Sequence, residues 1–224
     1  MDPSRSPRIK ICCIASVEEA WMAVRAGASA VGLVSRMPSG PGVISEEAIR
    51  GIAAAVPPPV ATFLLTSLTD PAEIAAQQRR CGANTLQLCD RLAPGAHQRL
   101  RSALPGIRLV QVVHVAGPRS VIEAAEVAPH VDAVLLDSGD PAATVRQLGG
   151  TGRTHDWAVS REIRERLRVP VFLAGGLTPA NVAEASRQVG PFGLDVCTGV
   201  RTDGRLDEAK LRAFFEAAAS PTAP

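Results

Sequence analysis

The sequence predicts an α/β fold, a single (β/α)8 TIM barrel, from three observations. Short apolar stretches of strand length alternate with amphipathic helical stretches along the chain. About eight such strand–helix units follow one another with no long linker and no change in composition. The length of 224 residues suits one barrel near the small end of its size range. A doubly wound open sheet is the main alternative, but the first strand lacks the G-x-G-x-x-G turn of that fold.

The expected strands are short apolar or β-branched runs next to turn-forming residues. In chain order they are Arg8–Ile14, Ala30–Val34, Val60–Leu65, Thr85–Leu88, Arg108–Val113, Ala133–Leu136, Val171–Leu173 and Leu194–Val196. Apolar residues at helical spacing lie between them. They predict helices at Val17–Ala26, from Ser45, from Pro71, at Ala96–Ala103, Ser120–Val127 and Trp157–Leu167, from Pro179, and at Leu206–Ala218.

Local signals set several of these boundaries. Ser45 is suited to cap the second helix, and Glu46 and Glu47 suit the positive end of its dipole. The segments Arg25-Ala26-Gly27-Ala28 and Arg80-Cys81-Gly82-Ala83 share the pattern Arg-x-Gly-Ala, and each leads into a strand. This similarity is a faint internal repeat. Because glycine readily adopts the left-handed conformation that ends a helix, both are predicted helix stops.

Composition and the chain ends restrict the class of protein. We expect residues 1–8 to be a short disordered lead, residues 9–219 the barrel domain and residues 220–224 a disordered tail. The lead lacks the apolar stretch of a signal peptide, and no apolar run reaches the roughly 18–20 residues of a membrane span. A cytoplasmic protein without a membrane partner is therefore expected, as a monomer or homodimer. A net charge of +2 without basic runs argues against nucleic acid as a partner.

Cysteine usage argues against a disulfide framework and against a metal site. The five cysteines are an odd number in a chain without an export signal, and none has the C-x-x-C spacing of a zinc site. Cys81 at a helix end and Cys89 at a strand end are predicted to be small core residues.

Two side chains at strand ends are the candidates for proton transfer. Cys12 lies two residues after Lys10, so both side chains are expected on the interior face of the barrel, where Lys10 and a helix N-terminus would favour the thiolate. Cys13 is expected to point towards the helices. Asp137 ends an apolar strand, where burial would raise its pKa and suit it as an acid, although a turn or cap role is equally open. Asp132, at the start of that strand, is expected at the opposite, structural end.

Three glycine-containing segments follow late strands and could bind a phosphate through backbone amides. They are Gly149-Gly150-Thr151-Gly152, Gly175-Gly176 and Cys197-Thr198-Gly199. Ordinary turn glycines are the alternative interpretation.

These segments, in this order, resemble the phosphoribosylanthranilate isomerase family of tryptophan biosynthesis across nearly the whole chain. The resemblance rests on Lys10-Ile11-Cys12, Gly27-Ala28, Val31-Gly32-Leu33-Val34, Ile44-Ser45, Leu86-Gln87-Leu88, Leu135-Leu136-Asp137-Ser138, Gly149-Gly150-Thr151-Gly152, Asp156-Trp157, Ala174-Gly175-Gly176-Leu177, Pro179, Asn181-Val182, Asp195-Val196 and Gly199-Val200.

The resemblance implies a (β/α)8 barrel and a cofactor-free Amadori rearrangement of a phosphoribosylamine. It implies Asp137 as the general acid that opens the sugar ring and Cys12 as the general base that removes the C2 proton. The substrate and its phosphate would be bound by Lys10, Arg36, Gly150, Gly152, Gly175, Gly176, Cys197, Thr198 and Gly199.

The sequence departs from the family pattern at several positions, many of them on the side of the aromatic group. Cys13 replaces the glycine after Lys-Ile-Cys, Cys197 replaces the first serine of the last phosphate loop, and Arg201 replaces the glutamate after Gly-Val. The family arginine before Ile44-Ser45 is missing, which leaves Arg36, earlier in the loop, as the candidate to bind the anthranilate carboxylate.

Two other functions are compatible with the sequence. One is a related isomerase for another phosphoribosylamine, with a pocket lined by Arg36, Leu64 and Cys89. The other is a non-catalytic phosphate-binding barrel, against which the presence of both Cys12 and Asp137 counts.

Overall fold

Eight parallel strands form a closed barrel in chain order in the computed structural model, which describes residues 7–139, 148, 152 and 154–219. The strands are β1 Arg8–Ile11, β2 Ala30–Val34, β3 Ala61–Thr66, β4 Thr85–Leu88, β5 Arg108–His114, β6 Ala133–Asp137, β7 Val171–Leu173 and β8 Gly193–Val196. The first and last strands pair directly, with Lys10 opposite Asp195, and this pairing closes the barrel. The predicted fold is confirmed.

Helices surround the barrel and pack their apolar stripes on it. They are α1 Val17–Arg25, α2 Glu46–Ala55, α3 Pro71–Cys81, α4 Ala96–Ala103, α5 Arg119–Val127, α6 Trp157–Arg166, α7 Val182–Val189 and α8 Glu208–Ala219. Within the described residues, no helix is both long and apolar enough to span a membrane.

Capping residues begin the helices where the sequence indicates. Ser45 accepts a hydrogen bond from the Ala48 N–H, as predicted, and Asp70 accepts two from the first turn of α3. Gly82 ends α3 with a φ of +71°, the left-handed conformation predicted for it. Gly27 follows α1 with a φ of +102°.

Two predicted helix starts are wrong. Helix α7 begins at Val182 instead of Pro179, because the Asn181 side chain binds the Thr178 N–H and the Gly176 carbonyl and forms a turn there. Helix α8 begins at Glu208 because a small hairpin precedes it. The hairpin pairs β9 Arg201–Thr202 with β10 Arg205–Leu206 in antiparallel fashion.

The core has two layers, one between strands and helices and one inside the barrel. Inside the barrel, Phe172 makes edge-to-face contacts with Phe63 and Phe192, at centroid distances of 6.0 and 5.5 Å. Cys81 and Cys89 are both buried core residues, as predicted. This packing leaves the carboxyl ends of the strands to shape the one face where side chains from different strands meet.

Candidate active site

A pocket opens at the carboxyl ends of the strands. Residues of β2, β3, β4, β6 and β8 line it. The segments that follow β1, β2, β4, β6, β7 and β8 complete the lining. Seven of the predicted site residues meet there: Cys12, Asp137, Gly152, Gly175, Gly176, Cys197 and Thr198. Residues more than 180 positions apart in the chain are thus neighbours in one cavity.

Cys12 lies at the end of β1, on the floor of this pocket. Its N–H donates to the Val196 carbonyl of β8 at 2.8 Å, which extends the sheet by one residue, and its side chain is 6% exposed. Gly32 of the neighbouring strand leaves room for it. A Cβ on Gly32 would lie 2.8 Å from the Cys12 Sγ and 3.0 Å from the Lys10 Nζ. Lys10 and Cys12 therefore share the interior face of the barrel, as predicted.

Lys10 is fully buried beneath the pocket and forms an ion pair with Asp195. Its Nζ donates to Asp195 Oδ1 at 2.8 Å and lies 5.2 Å from the centre of the Phe63 ring. Burial alone would lower the pKa of Lys10, but Asp195 and the Cys12 sulfur outweigh it, and the pKa is raised. Asp195 lines the pocket, whereas Lys10 is absent from the described residues that line it.

Burial raises the pKa of the Cys12 thiol to about 11, and the negative charge of Asp195 adds to the rise. The Lys10 ammonium group lowers this pKa but does not compensate for burial. The expectation of a favoured thiolate is therefore wrong for the unliganded site. The reason is the burial of the sulfur, which outweighs the positive charge of Lys10, and the negative charge of Asp195 adds to the effect of burial.

Asp137 is the last residue of β6 and is half-buried at the pocket wall. Its Oδ1 accepts the Ser138 N–H at 2.7 Å. Burial raises the pKa of Asp137, as predicted, and nearby Asp195 adds to the rise, while the Ser138 N–H opposes it. Asp132, at the other end of the strand, binds the Leu109 N–H and two arginines instead, which confirms its structural position.

Cys13 and Cys197 form a disulfide at the mouth of the pocket, with Cα atoms 5.9 Å apart. The described residues thus contain one disulfide, although cysteine usage argues against a disulfide framework, and the expectation that Cys13 points to the helices is wrong. Strand β1 ends at Ile11, and Cys13 has a φ of +62°, which turns its side chain back towards the loop after β8. The bond links the first and last strands of the barrel across 184 positions of sequence.

The late glycine loops form one corner of the pocket. Gly175 and Gly176 both have positive φ values, +83° and +62°. A Cβ on Gly199 would overlap the Leu177 carbonyl oxygen, so only glycine allows the last two loops to approach this closely. Gly152 faces Thr198: a Cβ added to Gly152 would lie 3.9 Å from the Thr198 Oγ1. Gly150 lies outside the described residues.

Arg36 is exposed and is absent from the described residues that line the pocket. Its carbonyl accepts a hydrogen bond from the Ser67 hydroxyl. Met37, Ser39, Gly40 and Pro41 of the same loop line the pocket in its place.

Sequence reasoning did not place Gln87 in the pocket and gave Asp195 no role there, but both residues line it. Gln87 is 4% exposed, and among the described residues its Oε1 has no hydrogen-bond partner. A glutamine between two leucines of a buried strand is the signal that could have identified it. The structure also corrects one expected lining residue: Leu64 is fully buried in the core, and Leu65, on the opposite face of β3, lines the pocket.

Comparison with known proteins gives a consistent result. Residues 9–217 match the family model described as N-(5′-phosphoribosyl)anthranilate (PRA) isomerase. The chain is 38% identical to N-(5′-phosphoribosyl)anthranilate isomerase of Halobacterium salinarum over 221 residues, which cover 97% of this chain and 98% of that protein.

Solved structures show the same relationship. Phosphoribosyl anthranilate isomerase from Thermotoga maritima superposes with a TM-score of 0.81 at 30% identity, covering 95% of this chain and 98% of that one. A phosphoribosyl anthranilate isomerase in complex with reduced 1-(o-carboxyphenylamino)-1-deoxyribulose 5-phosphate superposes with a TM-score of 0.79 at 29% identity, with the same coverage.

Proposed function

The chain belongs to the N-(5′-phosphoribosyl)anthranilate isomerase family, and we propose that Cys12 is the general base and Asp137 the general acid of its reaction. The enzyme converts N-(5′-phosphoribosyl)anthranilate to 1-(2-carboxyphenylamino)-1-deoxyribulose 5-phosphate, an aldose–ketose isomerisation in tryptophan biosynthesis. The observation that supports the two roles is that both side chains line one pocket from different strands, β1 and β6.

Asp137 acts first in this proposal. Its raised pKa favours the protonated carboxyl group, which donates its proton to the ring oxygen of the substrate. The bond between that oxygen and C1 breaks as the nitrogen lone pair forms the C1=N bond. The product of this step is an open-chain iminium ion that makes the C2 proton acidic.

Cys12 then removes the C2 proton. The electron pair of the C2–H bond becomes the C1=C2 bond of an enolamine, while the π pair of the C1=N bond returns to nitrogen. The enolamine becomes the ketone when C1 gains a proton and the C2 hydroxyl group loses one. A thiol with a pKa of about 11 is a strong base once ionised, but only about one molecule in 10⁴ carries the thiolate at pH 7 in the unliganded site. Well-placed acid–base groups accelerate such steps by about 10²–10⁴-fold.

The glycine loops are proposed to hold the phosphate. Gly175 and Gly176 adopt left-handed backbone conformations, and their backbone amides are proposed to bind the phosphate. Gly199 permits the close approach of the neighbouring loop. Thr198 adds a hydroxyl group at the same corner of the pocket. The ribose would then extend from this corner towards Cys12 and Asp137.

Turnover of freshly prepared substrate tests the assignment. The loss of anthranilate fluorescence is followed for the wild type, Cys12→Ser, Asp137→Asn and the control Cys81→Ala, a buried thiol on α3 outside the pocket. We expect kcat/KM to fall by at least about 10²-fold in the two site variants and to change little in the control. Near wild-type turnover by folded Cys12→Ser would show that another group is the base.

Partners and location complete the proposal. We propose that the small phosphorylated substrate is the partner and that the enzyme acts in the cytoplasm as a monomer or homodimer, without binding nucleic acid. The net charge of +2 supports the last point. Light scattering after gel filtration separates the two assembly states, and a mass above that of a dimer would contradict both.

A further inference from the structure

We propose that Arg201 and Glu19 are a positioning pair that holds the peptide after Cys12 and thereby aims the Cys12 thiol at the substrate. The inference rests on the proposed role of Cys12 as the base. Neither residue lines the pocket within the described part of the chain, so both act through the backbone of another residue.

The Arg201 guanidinium group lies directly behind Cys12. Its Nη2 donates to the Cys12 carbonyl at 3.3 Å and to the Cys13 carbonyl, and its Nη1 donates to the Gly204 carbonyl at 2.9 Å. The side chain is 7% exposed. Two consecutive carbonyl groups are thus turned towards one buried cation, which fixes the orientation of the peptide that joins Cys12 to Cys13.

Glu19 fixes Arg201 in turn. Both carboxylate oxygens accept from the guanidinium group at 3.0 Å, in the bidentate geometry that gives such pairs their rigidity. The same carboxylate accepts the Ala15 N–H at 3.0 Å and the Leu206 N–H at 2.9 Å. The pair therefore connects the loop after β1, helix α1 and the β9–β10 hairpin through hydrogen bonds.

Cys13 is the reason that this loop needs support. Its φ of +62° lies in the left-handed region, which residues with a Cβ adopt rarely. Arg201 is in direct contact with this residue, because it binds the Cys13 carbonyl. We infer that the arginine holds the strained cysteine in the conformation that glycine would adopt unaided.

Loss of Arg201 is expected to release this conformation. Cys13 would relax towards negative φ, the peptide would rotate, and the Cα–Cβ bond of Cys12 would change direction. Because proton transfer requires close alignment, the chemical step should suffer more than substrate binding. The Cys13–Cys197 disulfide also holds the loop, so the effect is clearest when that bond is removed.

The experiment uses Cys197→Ser as the reference protein. Three variants are made in this background: Arg201→Gln alone, Arg201→Lys alone, and Arg201→Gln combined with Cys13→Gly. We expect Arg201→Gln to lower kcat by about 10- to 100-fold with a change in KM below about threefold. Arg201→Lys should retain part of the activity, and Cys13→Gly should restore kcat of Arg201→Gln to within about threefold of the reference. The matched control is Arg80→Gln, which removes an exposed bidentate pair with Glu46 between α2 and α3.

A second readout does not depend on catalysis. The rate at which iodoacetamide alkylates Cys12, identified by mass spectrometry, should rise at least about fivefold in Arg201→Gln, because the thiol is only 6% exposed when held. An unchanged alkylation rate, an effect confined to KM, or no restoration by Cys13→Gly would each overturn the inference. The two proposals can fail separately. If Arg201→Gln speeds alkylation of Cys12 but the Cys12→Ser variant remains active, Cys12 is not the base, and the inference that the pair positions its thiol stands.

Discussion

Replacing Gly32 by alanine adds one methyl group directly against the Cys12 thiol. The new Cβ would lie 2.8 Å from Sγ and 3.2 Å from the Cys12 Cα, and 3.0 Å from the Lys10 Nζ. Ordinary contacts of a Cβ begin at 3.4 Å. The sulfur must therefore move by at least about 0.6 Å, the difference between 3.4 and 2.8 Å.

The displacement has two measurable consequences. Overpacking of this kind destabilises a core by about 1–3 kcal/mol. A displacement of about 1 Å in a reacting group can lower a rate by about 10²-fold, so we expect Gly32→Ala to lower kcat by about 10- to 100-fold. KM should change less, because the phosphate loops lie on other strands.

The assay is steady-state turnover together with urea unfolding. Gly51→Ala is the matched control, because Gly51 is exposed within α2 and a Cβ there meets nothing within 4 Å. We expect it to keep wild-type kcat and to gain about 0.5–1 kcal/mol of stability from the better helix former. A folded Gly32→Ala variant with kcat within twofold of the wild type would refute the reasoning.

Other changes test the buried charges. Lys10→Met leaves Asp195 buried without its cation and should reduce the free energy of unfolding by about 3–5 kcal/mol in urea titrations, whereas Arg91→Gln, which removes an exposed pair with Glu126, should change it by less than about 1 kcal/mol. Equal effects of the two variants would contradict this ranking. Burial lowers the pKa of His155 to about 4, below its ordinary value of 6.5. The unfolded chain then binds more protons between these values, so up to about 3 kcal/mol of stability, present above pH 6.5, should be lost as the pH falls to 4. His155→Gln should flatten that dependence, and a slope unchanged by the substitution would assign it to other groups. The alkylation rate of Cys12 in the free enzyme should rise with a midpoint at about pH 11, and a midpoint near 8.5 would show that burial does not control the thiol.

The barrel could be predicted because each unit repeats the same local signals. Strands such as Ala30–Val34 and Thr85–Leu88 were predicted at the boundaries that the structure has. The β9–β10 hairpin was missed, although Asp203-Gly204 is a strong turn signal and both residues have positive φ. Strands of only two residues carry no periodicity, so the pattern that identified the others could not show them.

The sequence predicted that Cys12 and Asp137 lie at one face of the barrel, but it did not predict the pairings around them. Position at a strand end sufficed for Cys12 and Asp137, because all strand ends of a parallel barrel meet on one face. The Cys13–Cys197 bond depends on a left-handed residue next to a strand end, which no local pattern indicates. The ionisation of Cys12 depends on its burial and on the charge of Asp195, which lies 185 positions from Lys10 in the chain.

That separation also sets the order of events during synthesis. A ribosome that adds about 5–20 residues per second needs roughly 10–40 s to pass from Lys10 to Asp195. During this interval the first strand lacks its second neighbour, which supplies the counter-ion of Lys10 and leads into the disulfide partner of Cys13. A nascent chain that ends before the eighth strand therefore carries Cys12 and Asp137 but lacks Asp195, Val196, Cys197 and Thr198, which line the pocket with them.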